Sequence, residues 1–145
     1  MWKFFIAALL GTSSCAALDR NAASQPMESW FGLYRHPATL DCLRLHAGTG
    51  DDVMVEVLTR RGQQVCEVSE RAHGRRWPLV MDDVTLDAGR GIRIEPIDGA
   101  LTIVVRQLAS DGSSPFCGAH GTLEGLRFTK ADRVSDGACI VSGSN

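Results

Sequence analysis

Apolar residues recur at every second position in three parts of the chain, which is the pattern of a half-buried β-strand. The alternating apolar positions are Val53, Val55 and Val57, then Ile92 and Ile94, then Leu101, Ile103 and Val105. An Asp98-Gly99 pair separates the last two groups. Because both central residues of a tight hairpin turn take positive φ, this pair predicts a β-hairpin. Pro96 then marks the end or the edge of the first strand of that hairpin.

Further short apolar stretches are separated by turn residues. They cover residues 40–45, 65–71 and 123–128, and a less regular stretch covers residues 77–86. No segment has a convincing 3.6-residue period, and no internal repeat is present. Short strands at roughly ten-residue spacing therefore predict an all-β fold, a small antiparallel β-sandwich or barrel.

The N-terminal residues have the order of a secretory signal peptide. Lys3 supplies a positive charge, residues 4–10 form an unbroken apolar run, and small and polar residues follow up to Ala17. The run is much shorter than the ~20 apolar residues that span a bilayer. We therefore expect a signal peptide at residues 1–17 rather than a membrane helix.

Two ways of processing this segment remain open. A signal peptidase could cut after Ala16 or Ala17, where small residues stand at the positions that it reads. Alternatively, the segment ending in Cys15 resembles a lipoprotein processing box, although Thr12 stands where an aliphatic residue is usual. In the second case the protein is a lipoprotein, and a lipid on Cys15 is its expected contact with a membrane.

The cysteine count agrees with export. The five cysteines are Cys15, Cys42, Cys66, Cys117 and Cys139. Loss or lipidation of Cys15 leaves four, an even number that is typical of an oxidising compartment and that allows three disulfide connectivities. We therefore expect a bacterial protein of the periplasm, or a lipoprotein anchored to the outer membrane.

The length and the net charge of the chain limit the number of domains and the kinds of partner that we expect. We predict a single β domain at residues 28–145 after a tether at residues 18–27, with the residues from Val134 onward as a tail held by Cys139. The formal net charge of −2, from 15 basic and 17 acidic residues, gives no electrostatic basis for binding nucleic acid.

Two groups of residues have the chemistry, but not the pattern, of a metal site. Cys117 and His120 have a spacing that could hold zinc, but no second pair completes four ligands. Asp82, Asp83 and Asp87 offer oxygens to calcium, but without an EF-hand pattern an acidic surface patch is the simpler interpretation. We therefore predict no metal and no cofactor.

No catalytic motif is recognisable. Ser113 and Ser114 precede His120 in a loop, but no Gly-x-Ser-x-Gly motif is present and no acidic residue is placed to orient the histidine. Glu95 and Asp98 flank a hairpin turn, where acidic residues are ordinary. We therefore expect a protein that is not an enzyme, although a site assembled in space from distant residues leaves no motif.

A group of basic residues is expected at two hairpin tips. They are Arg60, Arg61, Arg71, Arg75 and Arg76. They suit an acidic partner, although keeping strand ends soluble is the more common use of such residues.

Residues 117–128, Cys-Gly-Ala-His-Gly-Thr-Leu-Glu-Gly-Leu-Arg-Phe, resemble a Cys-Gly-Ala signature near the C-terminus of small proteobacterial envelope proteins. Residues 31–35 and 65–67 fit the same pattern. The chain is also distantly similar to periplasmic lysozyme inhibitors, particularly those acting on invertebrate-type lysozyme. This resemblance implies a disulfide-stabilised β-sandwich or barrel of about eight strands. It also implies that Cys66 pairs with Cys117 and Cys42 with Cys139.

The resemblance implies a binding function as well. Such inhibitors insert a loop into the lysozyme cleft, and the corresponding loop here is residues 110–116. The predicted partner-binding residues are Ser113, Ser114, Phe116 and His120. The serines would hydrogen-bond to catalytic carboxylates, and Phe116 would be an apolar anchor. The plainer alternative places Phe116 in the core and the serines in a solvated turn.

Two functions from different classes follow. The first is an inhibitor of a lysozyme or another peptidoglycan hydrolase, or an immunity protein against a rival's hydrolase. The alternative is a structural or assembly lipoprotein of the bacterial envelope without an enzymatic partner. A lipidated Cys15 and co-purification with an envelope component would favour the alternative.

Overall fold

The structure is a computed structural model that describes residues 25–82, 90–106, 113–135 and 137–139. The predicted signal peptide and Cys15 lie outside the described residues, as do Asp83 and Asp87. The elements, in chain order, are a 3₁₀ helix at Met27–Trp30, β1 at Gly32–Arg35, β2 at Cys42–Ala47, β3 at Val53–Arg61, β4 at Gln64–Ala72, β5 at Leu79–Asp82, β6 at Gly91–Ile97, β7 at Ala100–Val105, β8 at Arg127–Thr129, a 3₁₀ helix at Lys130–Asp132 and β9 at Arg133–Val134.

The nine strands of the described part of the chain form two antiparallel sheets. One has the order β4-β3-β2-β1-β9 and the other β5-β6-β7-β8. Apolar side chains of both sheets meet in one main core, and β4 lies beside β5 where the sheets come together. The predicted all-β sandwich is therefore confirmed. The ninth strand is β9, which has two residues and pairs with β1.

The alternating valines lie on β3, and they are fully buried. The residues between them are only half-buried, because successive side chains of a strand point to opposite faces of the sheet. Strand β4 pairs with β3 over its whole length, from Val53 opposite Ala72 to Arg61 opposite Gln64. Gly62, with φ of 59°, begins the turn that joins the two strands.

The predicted hairpin is formed by β6 and β7. Asp98 has φ of 49° and Gly99 has φ of 74°, so both turn residues take the positive φ that such a turn requires. Pro96 lies beyond Ile94, the last residue of β6 that pairs with β5. Its missing N–H therefore leaves no ladder hydrogen bond unmade, in agreement with the predicted edge position.

The main core begins with the first 3₁₀ helix. Met27, placed at the end of the predicted tether, is 4% exposed and belongs to the core, so the folded part includes it. Trp30 is buried, and its carbonyl accepts a hydrogen bond of 2.6 Å from the hydroxyl of Tyr34. Burial raises the pKa of Tyr34, and the nearby Arg133 opposes this shift. Lys130 Nζ lies 4.6 Å from the centre of the Trp30 ring.

A second, smaller apolar cluster lies on the outer face of the five-stranded sheet. It contains Leu33, the disulfide-bonded pair Cys42 and Cys139, and the partly buried Leu58. The Cys139 N–H also donates to a carboxylate oxygen of Glu56 at 3.2 Å. The tail is therefore held by Cys139, as predicted, and the Cys42–Cys139 pairing that the resemblance implies is present.

The segment before β2 differs from the prediction. The apolar stretch at residues 40–45 predicts a strand from residue 40, but β2 begins at Cys42. Leu40 instead has φ of 61° and is 79% exposed, whereas the polar Asp41 is only 2% exposed. The hydrophobic pattern is inverted here because hydrogen bonds to Asp41, described below, decide which residue is buried.

Candidate functional site

Three connections meet at one end of the sandwich, which we call the loop end. They are the β1–β2 loop at residues 36–41, the β3–β4 turn at residues 62–63 and a loop at residues 113–121. Asp41, in the first connection, binds Arg61 at the last residue of β3. The antiparallel register places the start of β2, the end of β3 and the start of β4 side by side.

The hairpin turn at Asp98-Gly99 belongs to the same end. His36 Nε2 is hydrogen-bonded to the Arg127 carbonyl at 3.0 Å, and the ring of His36 lies edge-on to that of Phe128 at 5.8 Å between centroids. Phe128 pairs with Leu101, close to this turn. Both sheets therefore contribute to the loop end.

The third loop is fixed to the edge of β4. Cys117 forms a disulfide with Cys66, as the resemblance implies, and the two residues also form an isolated β-bridge. The Glu67 N–H donates to the Phe116 carbonyl at 3.1 Å, and the Gly118 N–H donates to the carbonyl of residue 65 at 3.2 Å. A covalent bond and two backbone hydrogen bonds therefore hold this part of the loop.

The two predicted binding serines lie beneath the surface. Ser113 is 7% exposed and Ser114 is 3% exposed. The Ser114 hydroxyl accepts a hydrogen bond from the Leu123 N–H at 3.0 Å and donates to Thr122 Oγ1 at 3.3 Å. Their burial differs from both sequence interpretations, in which the serines face a partner or solvent. Ser114 instead ties the two sides of the loop together.

The exposed part of this loop is residues 118–120, which we call the tip. The Gly121 N–H closes the tip by donating to the Gly118 carbonyl at 3.0 Å, and the Ser114 N–H donates to the Gly121 carbonyl at 2.9 Å. A Cβ at position 121 would lie 2.8 Å from Cys117 Cβ and 3.0 Å from Cys66 Sγ, so only glycine lets the disulfide pack here. His120 lies at the exposed tip with φ of 62°.

Phe116 lies between the tip and the core. Its side chain is half-buried and packs against the main core, and its φ is 64°. This placement agrees with the plainer expectation that Phe116 contributes to the core. Of the four residues predicted to bind a partner, His120 is the one on the surface, and Phe116 is half-buried.

A buried carboxylate holds the β1–β2 loop. Asp41 accepts hydrogen bonds from Thr39 Oγ1 at 2.7 Å, from Thr59 Oγ1 at 2.5 Å and from two nitrogens of Arg61, both at 2.7 Å. The Asp41 carbonyl accepts a further bond from the His36 N–H at 2.9 Å. The loop is thus closed by its own backbone and anchored to β3.

The charge state of Asp41 follows from these contacts. Burial by itself raises the pKa of a carboxyl group, but the hydrogen bonds from Arg61, Thr59 and Thr39 outweigh it, so that the pKa of Asp41 is lowered. Hydrogen bonding to Asp41 correspondingly raises the pKa of Arg61. This ion pair was missed from the sequence, because its partners are far apart in the chain and no pattern links them.

Several of the residues considered for metal binding and catalysis are paired with other groups. Cys117 is disulfide-bonded and is therefore not a zinc ligand. Asp82 forms an ion pair with Arg106, and Glu95 forms one with Arg93 at 3.0 Å. In the described ranges, no group of three or more His, Cys, Asp or Glu side chains is arranged to hold a metal ion.

The predicted arginine group is divided between the two ends of the β3–β4 hairpin. Arg60 and Arg61 lie at the loop end. Arg71 and Arg75 lie at the opposite end, where Arg71 contacts Asp52 at 3.4 Å and Arg75 donates to the carbonyl of residue 50 at 3.0 Å. The arginines therefore do not form one continuous basic patch.

Two of the grooves in the described part of the molecule are each lined by residues from more than one element. One, of about 480 Å³, lies between β4 and β5 and is lined by Glu70, Arg71, His73, Val80, Met81 and Asp82. The other, of about 310 Å³, lies on the outer face of β1 and β2 and is bordered by the C-terminal tail. In the second groove Arg44 is paired with Glu56 at 3.2 Å. The first groove is lined by charges of opposite sign, whereas the lining of the second is largely apolar, with Arg44 and His46 as its basic residues. Neither lining has the convergent set of polar groups typical of a small-molecule site.

Comparisons with protein-family models, with curated proteins and with solved structures give no significant match. The described part of the chain contains no helix with the length and apolar character that crossing a bilayer requires.

Proposed function

We propose that this protein is a binding module that works outside the cytoplasm and presents the tip at residues 118–120 to a protein partner. The partner that we propose is a lysozyme or another peptidoglycan hydrolase, which the module inhibits. The observation that carries the proposal is the combination of an exposed tip with a backbone fixed on both sides by the Cys66–Cys117 disulfide and by hydrogen bonds.

A rigid loop is well suited to binding because little conformational entropy is lost when it docks. Ordering flexible side chains and loops at an interface costs roughly 0.5–1.5 kcal/mol for each group that is immobilised. The tip avoids most of this cost, since its ends are already held by Ser114, Cys117 and Gly121. Rigid, exposed loops on a β scaffold are a common way of presenting binding residues.

The chemistry of the tip suits an acidic cleft. It carries the imidazole of His120 and the small Gly118 and Ala119, so the backbone of a partner can approach closely. His120 is the side chain that can donate a hydrogen bond or carry a positive charge, and carboxylates are its natural acceptors. Wall-cleaving glycosidases work with paired carboxylates in a cleft, which is the kind of surface that such a tip complements.

The test is a turbidity-clearing assay. The purified, oxidised protein is added to animal-, goose- and invertebrate-type lysozymes and to bacterial wall hydrolases acting on bacterial cells. We expect near-stoichiometric protein to stop clearing by one class of enzyme. The variants Ala119→Glu and His120→Ala should relieve the inhibition, because they change the exposed tip without touching its hydrogen bonds.

The matched control is Asp51→Ala. Asp51 is exposed in the β2–β3 turn, at the opposite end of the nine-residue strand β3, which is about 30 Å away. This variant should inhibit as well as the unchanged protein. Unhindered clearing by every enzyme in the panel would refute the proposal and favour the envelope assembly role, for which co-purification with another envelope component is the next measurement.

A further inference from the structure

Leu40 occupies a position in which its side chain contributes little to the stability of the fold. Its side chain is 79% exposed, so it gains little from the hydrophobic effect. Its φ of 61° lies in the left-handed region, which is unfavourable for residues with a Cβ and especially rare for a bulky side chain. Glycine or asparagine would occupy the same backbone position with less strain.

The loop holds Leu40 in a fixed place. On one side, the Leu40 N–H donates to the His36 carbonyl at 3.1 Å. On the other side, Asp41 is anchored by the hydrogen bonds from Thr39, Thr59 and Arg61. The leucine is therefore displayed on a closed and anchored loop, as the tip is displayed on its disulfide-held loop.

Arginines flank the loop that carries Leu40. Arg35 directly precedes the loop, and the exposed Arg60 and Arg61 lie beside its anchored end. The one carboxylate of the loop, on Asp41, is buried beneath it and already bonded to Arg61. A surface complementary to this one has an apolar pocket with carboxylates at its rim.

We infer that Leu40 is the apolar anchor of the partner-binding surface at the loop end, and that the partner is a protein with an apolar pocket bordered by acidic side chains. This inference rests on the proposed function and adds a second contact to it. An apolar side chain that fills a pocket at the centre of an interface commonly dominates the affinity, whereas contacts around it contribute less.

The experiment measures half-inhibitory concentrations and thermal unfolding midpoints for Leu40→Gly, Leu40→Asn and Leu40→Met, with the same panel of lysozymes and wall hydrolases as probes. Loss of a fully buried leucine side chain from an interface corresponds to about a ten- to hundredfold weaker inhibition. We expect this loss for the glycine and asparagine variants. The methionine variant, which keeps an apolar side chain of similar volume, should inhibit within about threefold of the unchanged protein.

The unfolding midpoint separates binding from folding. Relief of the left-handed strain should leave the midpoints of Leu40→Gly and Leu40→Asn unchanged or raise them. A lower unfolding midpoint for these variants would overturn the inference, because it would show that Leu40 stabilises the folded protein. Full inhibition by Leu40→Gly would overturn it while the proposed function stands. A panel in which even the unchanged protein inhibits nothing would overturn both.

Discussion

The buried carboxylate of Asp41 offers the most direct test of how the loop end is held together. The substitution Asp41→Ala removes one side chain that accepts four hydrogen bonds from Thr39, Thr59 and Arg61, at 2.5–2.7 Å. Because Asp41 links the β1–β2 loop to β3, its loss should destabilise the whole sandwich and not merely the loop.

The size of the effect can be worked out from two of the three donors, Thr59 and Arg61, because the third, Thr39, is exposed and can bond to water instead. Thr59 is 3% exposed, and a buried hydroxyl left without its acceptor costs about 1–3 kcal/mol. The Arg61 side chain is 50% exposed, so water can replace the carboxylate and its part is smaller, about 1 kcal/mol or less. The expected loss in the free energy of unfolding is therefore about 3 kcal/mol, a large part of the 5–15 kcal/mol that is typical of a domain.

Urea unfolding of the oxidised protein at pH 7, followed by tryptophan fluorescence, measures this loss. Trp30 is buried in the main core, so its emission should report the transition. The control is Asp51→Ala, which removes an exposed aspartate from the opposite end and should change the free energy by less than about 0.5 kcal/mol. A loss below about 1 kcal/mol for Asp41→Ala would show that the buried ion pair contributes little.

The stabilisation that Asp41 provides should depend on pH, and the same variant measures this dependence. The pKa of folded Asp41 is lowered from its ordinary value of 3.8, so the unfolded chain binds the proton more readily than the folded one. The stabilisation is therefore complete above about pH 5, and it is lost as the pH falls through the folded pKa. The difference in stability between the unchanged protein and Asp41→Ala should shrink below about pH 4. A difference that stays constant down to pH 2 would contradict the sign of this shift.

Three further variants test the sandwich itself by the same urea measurement. Gly91→Ala should cost about 2 kcal/mol, because the added Cβ would lie 2.2 Å from the Met81 carbonyl oxygen; an unchanged midpoint would mean that β5 moves freely. Replacing Cys42 and Cys139 together by alanine removes a disulfide that joins residues 97 positions apart. The free energy of unfolding should fall by about 4 kcal/mol. An unchanged free energy would show that the attachment of the tail adds no stability. Leu43→Ala removes a fully buried side chain and should lower the free energy of unfolding by about 2–5 kcal/mol. A decrease of less than about 1 kcal/mol would contradict this expectation.

Much of the strand arrangement is a local property, and for that reason the sequence predicts it. Alternation with a period of two depends only on neighbouring residues, so Val53, Val55 and Val57 place the buried face of β3 correctly. The Asp98-Gly99 turn is predicted for the same reason, since its positive φ values are a demand on two adjacent residues. The order of strands in the sheets carries no such local signal.

The contacts of the loop end are not local, and the sequence did not predict them. An aspartate before an apolar run is usually solvated, so nothing in the chain marks Asp41 as buried. Its partner Arg61 is twenty residues away. The burial of Ser114 was missed for the same reason, because its hydroxyl bonds to Leu123 across the loop. The disulfide pairing followed from the resemblance and not from the cysteine count, which allows three connectivities.

Backbone conformation gives a reason to regard the loop end as functional. Among the described residues, Leu40, Asp98, Phe116 and His120 are the non-glycine residues with positive φ, and all four lie at this end. Asp98 is explained by its turn, since aspartate tolerates this conformation. The other three have bulkier side chains, and each such residue costs on the order of 1–3 kcal/mol that the surrounding structure must offset. This strain is concentrated at one surface, on loops held by a disulfide and a buried ion pair, and such strain agrees with the binding surface that we propose there.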